Sequence, residues 1–182
     1  AEHVMQAPKR ETMDLRPYIR DIPDFPKPGI LFKDITPLLK APAAFREAID
    51  ALARRYAPRE VDAIIGVDAR GFLLAAPLAY RLGKPLVPVR KQGKLPFETV
   101  TVTYDLEYGT DAVEMHTDGI SSGQRVLVVD DLLATGGTLA ATARLVEEIG
   151  GRIEGLAVLV ELTELNGRAR LQGSDLFSLI TF

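Results

Sequence analysis

The sequence predicts an α/β fold, a parallel sheet flanked by helices, and three observations carry that expectation. Short β-branched apolar runs alternate with segments of helical period. The most apolar run, residues 126–129, stops at two adjacent carboxylates and a loop of small residues and hydroxyls. A second run, residues 63–67, likewise passes through a short polar turn into a helical segment. Strand, loop, helix units of this kind gather their ligands at the carboxyl ends of the strands.

Each element has its own signal. Residues 1–18 are set apart as an N-terminal arm, polar and aperiodic as far as Glu11, and residues 19–182 as a single domain. Phe45, Ala48, Ile49, Leu52, Ala53 and Tyr56 keep helical spacing, with Pro42 near the first turn and Pro58 beyond the end. Residues 63–67 form a buried strand, residues 68–71 a turn, and residues 72–82 a helix stopped by Gly83. Residues 86–89 give another strand. Residues 99–104 and 111–116 alternate like two half-exposed strands of a hairpin. After residues 126–129, the positions Leu139, Thr142, Ala143, Leu145, Val146 and Ile149 mark a helix ending at Gly150-Gly151, and residues 155–160 a further strand.

Composition narrows the function. A chain of 182 residues buries an adequate core as one domain, and the absence of cysteine removes disulfides, thiolate zinc sites and thiol nucleophiles. His3 and His116 lie far apart, with no carboxylate spacing around them, so no zinc site is expected. A net charge of −3 opposes general nucleic-acid affinity, so any anion site must be local. No stretch has the apolar length of a membrane span and no signal peptide is evident, which gives the expectation of a cytoplasmic protein without membrane or nucleic-acid partners.

The string VLVVDDLLATGGT at 126–138 has the physics of a phosphate cradle. Ala134, Thr135, Gly136, Gly137 and Thr138 bring backbone N–H groups and hydroxyl donors to the start of a helix, and glycine admits positive φ and close approach of an oxygen. Asp130 and Asp131 beside an anion site need something else to face, and a ribose diol or a divalent cation serves. The ligand expected is a sugar phosphate.

This string resembles the phosphoribosyl pyrophosphate (PRPP) signature of type I phosphoribosyltransferases. Further segments, IRDIPDFPKPGILFKDITPLL at 19–39, GVDARGF at 66–72, RKQGKLP at 90–96, LEYG at 106–109 and LVELTELNGR at 159–168, together resemble the adenine phosphoribosyltransferase family. That resemblance implies a parallel sheet flanked by helices, with a small N-terminal hood (about 19–39) and a flexible hairpin flap (about 90–116). It implies the conversion of adenine and PRPP to AMP and pyrophosphate with Mg2+, in adenine salvage, by a homodimer.

Residue by residue, the resemblance gives Asp130 and Asp131 to the ribose, directly or through magnesium, and Ala134 to Thr138 to the 5′-phosphate. Asp68, Ala69 and Arg70 fall in the pyrophosphate loop, where a non-proline peptide can be cis. Arg90, Lys91 and Lys94 form a basic cluster able to close over pyrophosphate. Glu107 would manage the purine proton. Backbone near Leu31 would read the adenine edge, while Phe32 and Leu162 cover its faces. Ala69 and Lys33 depart from the serine and arginine that the family pattern suggests. Two alternatives remain open: a phosphoribosyltransferase for hypoxanthine, guanine, xanthine or orotate, and a PRPP-sensing regulator. The regulator needs a DNA-binding module, and the residues before Ile19 carry no helix-turn-helix pattern.

Overall fold

A computed structural model describes residues 12–106 and 108–182. Residues 1–11, which hold His3 and most of the expected arm, and Glu107 lie outside the described residues. Two compact units divide between Glu47 and Ala48, inside a helix.

In the first unit, β1 (Arg20–Ile22) and β2 (Phe32–Asp34) pair antiparallel, with Arg20 opposite Asp34 and Ile22 opposite Phe32. Helix α1 (Thr36–Lys40) follows, then the start of α2 (Pro42–Tyr56). Asp34 ties the strand to α1, accepting from the Thr36 amide at 2.9 Å and from the Arg20 guanidinium at 2.8 Å. The Thr36 amide foremost, against the cost of burial, holds the Asp34 carboxyl below its ordinary range. The sequence reading gives no strands within the expected hood, because three-residue strands are too short for a period of two to show.

The second unit is a seven-stranded sheet. Its strands are β3 (Ala63–Val67), β4 (Leu86–Lys91), β5 (Thr99–Leu106), β6 (Gly109–His116), β7 (Arg125–Leu133), β8 (Arg152–Glu161) and β9 (Leu176–Thr181), in the order β5-β6-β4-β3-β7-β8-β9. From β4 to β9 every pairing is parallel, which matches the expected fold at its centre. The sheet as a whole is mixed, since β6 pairs antiparallel with both β4 and β5. A tight connection allows no other direction: parallel neighbours need a long crossover, and Leu106 already pairs with Gly109.

Helices α3 (Phe72–Leu82) and α4 (Gly137–Ile149) supply the crossovers. Gly66 makes the α3 contact possible, because a Cβ there would stand 2.8 Å from that of Ala75. All of β3 and the last seven residues of β8 are buried, as strands covered on both faces must be. The hairpin is less exposed than its alternation suggests. Val102 and Tyr104 on β5, and four consecutive residues from Ala112 to Met115 on β6, are buried.

Two expected boundaries move. Strand β4 runs on to Arg90 and Lys91, which pair with Glu114 and Val113, and β7 runs on to Leu133, which pairs with Glu161. Asp130 and Asp131 therefore lie within the strand rather than after it, since the neighbouring ladder on β8 continues past the end of the apolar run. Strand β9 has no counterpart in the sequence reading. It is a short edge strand paired with β8, with Phe177 against the Tyr56 ring and Arg168 donating to the Leu176 carbonyl at 3.2 Å.

Candidate active site

The carboxyl ends of β3 and β7 open on a cavity of about 400 Å³, lined by Asp68, Ala69 and Arg70 on one side and by residues 130–139 on the other. The two loops singled out in the sequence thus share one space. The Asp68–Ala69 peptide is cis.

The two acids of β7 both line this cavity but differ in their partners. Asp131 is buried and takes the Arg70 Nε at 2.7 Å. Asp130 accepts the Asp131 amide at 2.8 Å and has no ion-pair partner among the described residues. Burial first, then the neighbouring Asp131 carboxylate, raises the Asp130 pKa well above the ordinary carboxylate value. Gly71 makes this arrangement possible, because a Cβ there would lie 2.4 Å from the Val67 carbonyl and 2.9 Å from Asp130 Oδ1. The Asp130 carboxyl lines the cavity with no ion pair among the described residues, and carboxylate oxygen is a hard donor suited to magnesium. No cluster of three or more metal-ligating side chains occurs among the described residues, so such an ion would share its shell with substrate oxygens and water.

The loop from Ala134 to Thr138 leads into α4 with Gly136 at φ +87° and ψ 1°, a left-handed conformation. Its back is held by a residue the sequence reading misses. A Cβ on Gly136 would stand 2.7 Å from the Gly167 carbonyl, and a Cβ on Gly167 would stand 2.4 Å from the Ala134 carbonyl. Gly167 opens a 3-10 turn (Gly167–Leu171) that is clamped by Arg168, whose Nε donates to buried Glu161 at 2.7 and 2.9 Å, with Ser178 Oγ donating to the same carboxylate at 3.0 Å. The Asn166-Gly167 pair, with Asn166 at φ +50°, is a turn signal that could have found this.

The basic cluster divides. Side chains alternate along β4, so Arg90 and Lys91 take different partners. Arg90 Nε lies 3.2 Å and Lys94 Nζ 3.7 Å from Asp68 Oδ2. Lys91 donates to Tyr104 Oη at 2.8 Å and pairs with Asp111. Burial alone lowers the Lys91 pKa, but the bonds to Asp111 and Tyr104 outweigh it and leave it raised; the Lys91 bond holds Asp111 below its ordinary value. Tyr104 Oη in turn lies 3.3 Å from Thr138 Oγ1. Tyr104 and Asp111 carry no motif signal, since a tyrosine and an aspartate in a hairpin read as ordinary strand residues.

The residues expected at the base lie in separate units. Leu31 is half exposed, and Phe32 on β2 meets Phe25 edge to face with centroids 5.1 Å apart. Lys33 is bonded to Asp21 at 2.6 Å. Leu162 follows β8, its amide donating to the Leu133 carbonyl at 3.0 Å. His116 accepts the Phe97 amide at 3.3 Å, a structural role on the hairpin.

Comparison with known proteins agrees with this geometry. The phosphoribosyl transferase domain model matches residues 34–178. An adenine phosphoribosyltransferase of Roseiflexus castenholzii is 57% identical over 171 residues, which cover 94% of this chain and 99% of the relative. The chain belongs to the adenine phosphoribosyltransferase family. Among solved structures of that family, the enzyme from Thermoanaerobacter pseudethanolicus superposes with a TM-score of 0.90 at 56% identity, covering 92% of this chain and 98% of the other. The Saccharomyces cerevisiae enzyme, solved with an imino-altritol bisphosphate and adenine, gives 0.86 at 39% identity, covering 91% and 96%.

Proposed function

We propose that this chain transfers the phosphoribosyl group of PRPP to adenine, giving AMP and pyrophosphate. The observation that carries the reading is one cavity lined both by the Asp68 to Arg70 turn and by residues 130–139, on a chain that belongs to this enzyme family. The 5′-phosphate is received by the amides and hydroxyls from Ala134 to Thr138 at the start of α4, where unpaired N–H groups and the helix dipole favour an anion. Asp130 and Asp131 face the ribose. As the bond to pyrophosphate lengthens, positive charge develops on the sugar, and carboxylates placed beside it stabilise that charge.

Arg70, Arg90, Lys91 and Lys94 offer cations to the leaving diphosphate. Two of them, Arg90 and Lys94, exchange Asp68 for phosphate oxygens. Magnesium, when bound, neutralises the diphosphate and makes it a better leaving group. By the family resemblance, adenine falls to the backbone near Leu31 and to Phe32 in the first unit and to Leu162 in the second, and its proton to Glu107. The working form is a homodimer in the cytoplasm; no helix among the described residues is long and apolar enough to cross a membrane.

The test is turnover of PRPP with a panel of adenine, hypoxanthine, guanine, xanthine and orotate, with magnesium and with excess chelator. Adenine is expected to dominate, because a site that hydrogen-bonds the amino group leaves buried partners unpaired when a carbonyl replaces it. Chelator should abolish turnover. Equal efficiency on hypoxanthine would reassign the base, and full rate in chelator would remove the metal.

A further inference from the structure

We propose that Tyr104 is a positioning residue that ties the β5–β6 hairpin to the phosphate loop and tightens that tie when a phosphoryl group occupies the loop. The inference rests on the reading of residues 134–138 as the phosphate site. Its physical basis is a count of protons. A tyrosine and a threonine hydroxyl each have one proton to give and lone pairs to accept. Tyr104 Oη accepts from Lys91 at 2.8 Å, donates to Asp111 Oδ2 at 3.2 Å, and lies 3.3 Å from Thr138 Oγ1. With the Tyr104 proton committed to Asp111, the bond to Thr138 requires that Thr138 donate.

A phosphate at the loop accepts only, and it claims the same Thr138 proton. Thr138 then has only lone pairs to offer Tyr104. The pair stays bonded only if Tyr104 turns its proton from Asp111 to Thr138. Asp111 tolerates that loss, because it keeps Lys91 and the Ala112 amide at 2.8 Å. A Thr138 oxygen whose own proton goes to an anion is a stronger acceptor, so the reversed bond is the stronger one. Tyr104 is cross-strand partner to Asp111, and its ring lies 3.5 Å from where a Gly137 Cβ would stand, so the switch moves little and acts on the hairpin directly. Phosphate in the loop therefore holds the hairpin against α4.

Amide hydrogen exchange of residues 99–116, with ribose 5-phosphate as probe, tests this alongside calorimetry of the same samples. In the wild type, saturating ribose 5-phosphate should slow exchange in the hairpin. Tyr104→Phe keeps the buried ring and should still bind the probe, about three- to tenfold more weakly, as the loss of one neutral hydrogen bond implies. Its hairpin exchange should no longer respond to the probe, and its KM for adenine should stay unchanged. Thr138→Ser, which retains the hydroxyl, should retain the response. Ligand-dependent protection that persists in Tyr104→Phe, or its absence in a wild type that binds the probe, overturns the proposal. Failure of the wild type to bind ribose 5-phosphate at all would instead overturn the phosphate-loop reading beneath it.

Discussion

Gly136→Ala isolates the contact that shapes the phosphate loop. Two costs add at this position. Gly136 has φ +87°, where an L-residue pays for a left-handed backbone, about 1–2 kcal/mol. The new methyl would also stand 2.7 Å from the Gly167 carbonyl, a backbone atom fixed by the Arg168–Glu161 clamp, and overpacking of this kind costs about 1–3 kcal/mol. The sum, about 2–5 kcal/mol, corresponds to a fall in Tm of roughly 4–20 °C for a chain of this size. Gly123→Ala is the control, with φ +84° and open space around its Cβ, so it should incur the backbone term alone. Thermal unfolding of both variants, with calorimetric titration of PRPP, separates the terms. Gly136→Ala and Gly167→Ala should lose PRPP affinity together, because each forces Ala134 and Gly136 away from the turn behind them, whereas Gly123→Ala should bind normally. Equal destabilisation by Gly136→Ala and Gly123→Ala, with unaltered PRPP binding in both, would refute the idea that the Gly167 turn shapes the loop.

Asp130→Asn tests the carboxyl that has no ion pair among the described residues. A raised pKa means the folded protein binds this proton more tightly than the unfolded chain, so stability falls as pH rises from the ordinary value of 3.8 through the folded pKa. The variant escapes that loss: its Tm should exceed wild type at neutral pH and converge with it in acid, and a difference independent of pH would refute the assignment, while turnover should drop. Glu107→Gln keeps shape but not proton exchange, and should lose roughly 10²–10⁴-fold in the chemical step with PRPP affinity preserved. Single-turnover measurement decides that case, because slow product release can hide the chemistry; an unchanged step would leave transfer to positioning and electrostatics.

The apolar runs at 63–67 and 126–129 and the helical period at 139–149 determined the alternating α/β core, because burial on both faces leaves a continuous signature in one dimension. The DDLLATGGT string also pointed to phosphate chemistry, since glycines and hydroxyls at a strand end suit an anion, whereas the DARG turn was assigned to pyrophosphate through the family resemblance. Tertiary structure decided what depends on partners distant in sequence. The extension of β7 through Asp130 and Asp131 follows from pairing with β8, and β9 is defined by its own pairing with that strand. Arg90 and Lys91, adjacent in sequence and similar in charge, part company because a strand turns successive side chains to opposite faces: one goes to Asp68, the other to Tyr104 and Asp111. Gly167 reads as a turn glycine until its carbonyl is found against Gly136. Periodicity and composition record how each residue meets solvent or core, but a contact between loops carries no period, and only the closed fold brings its two halves together.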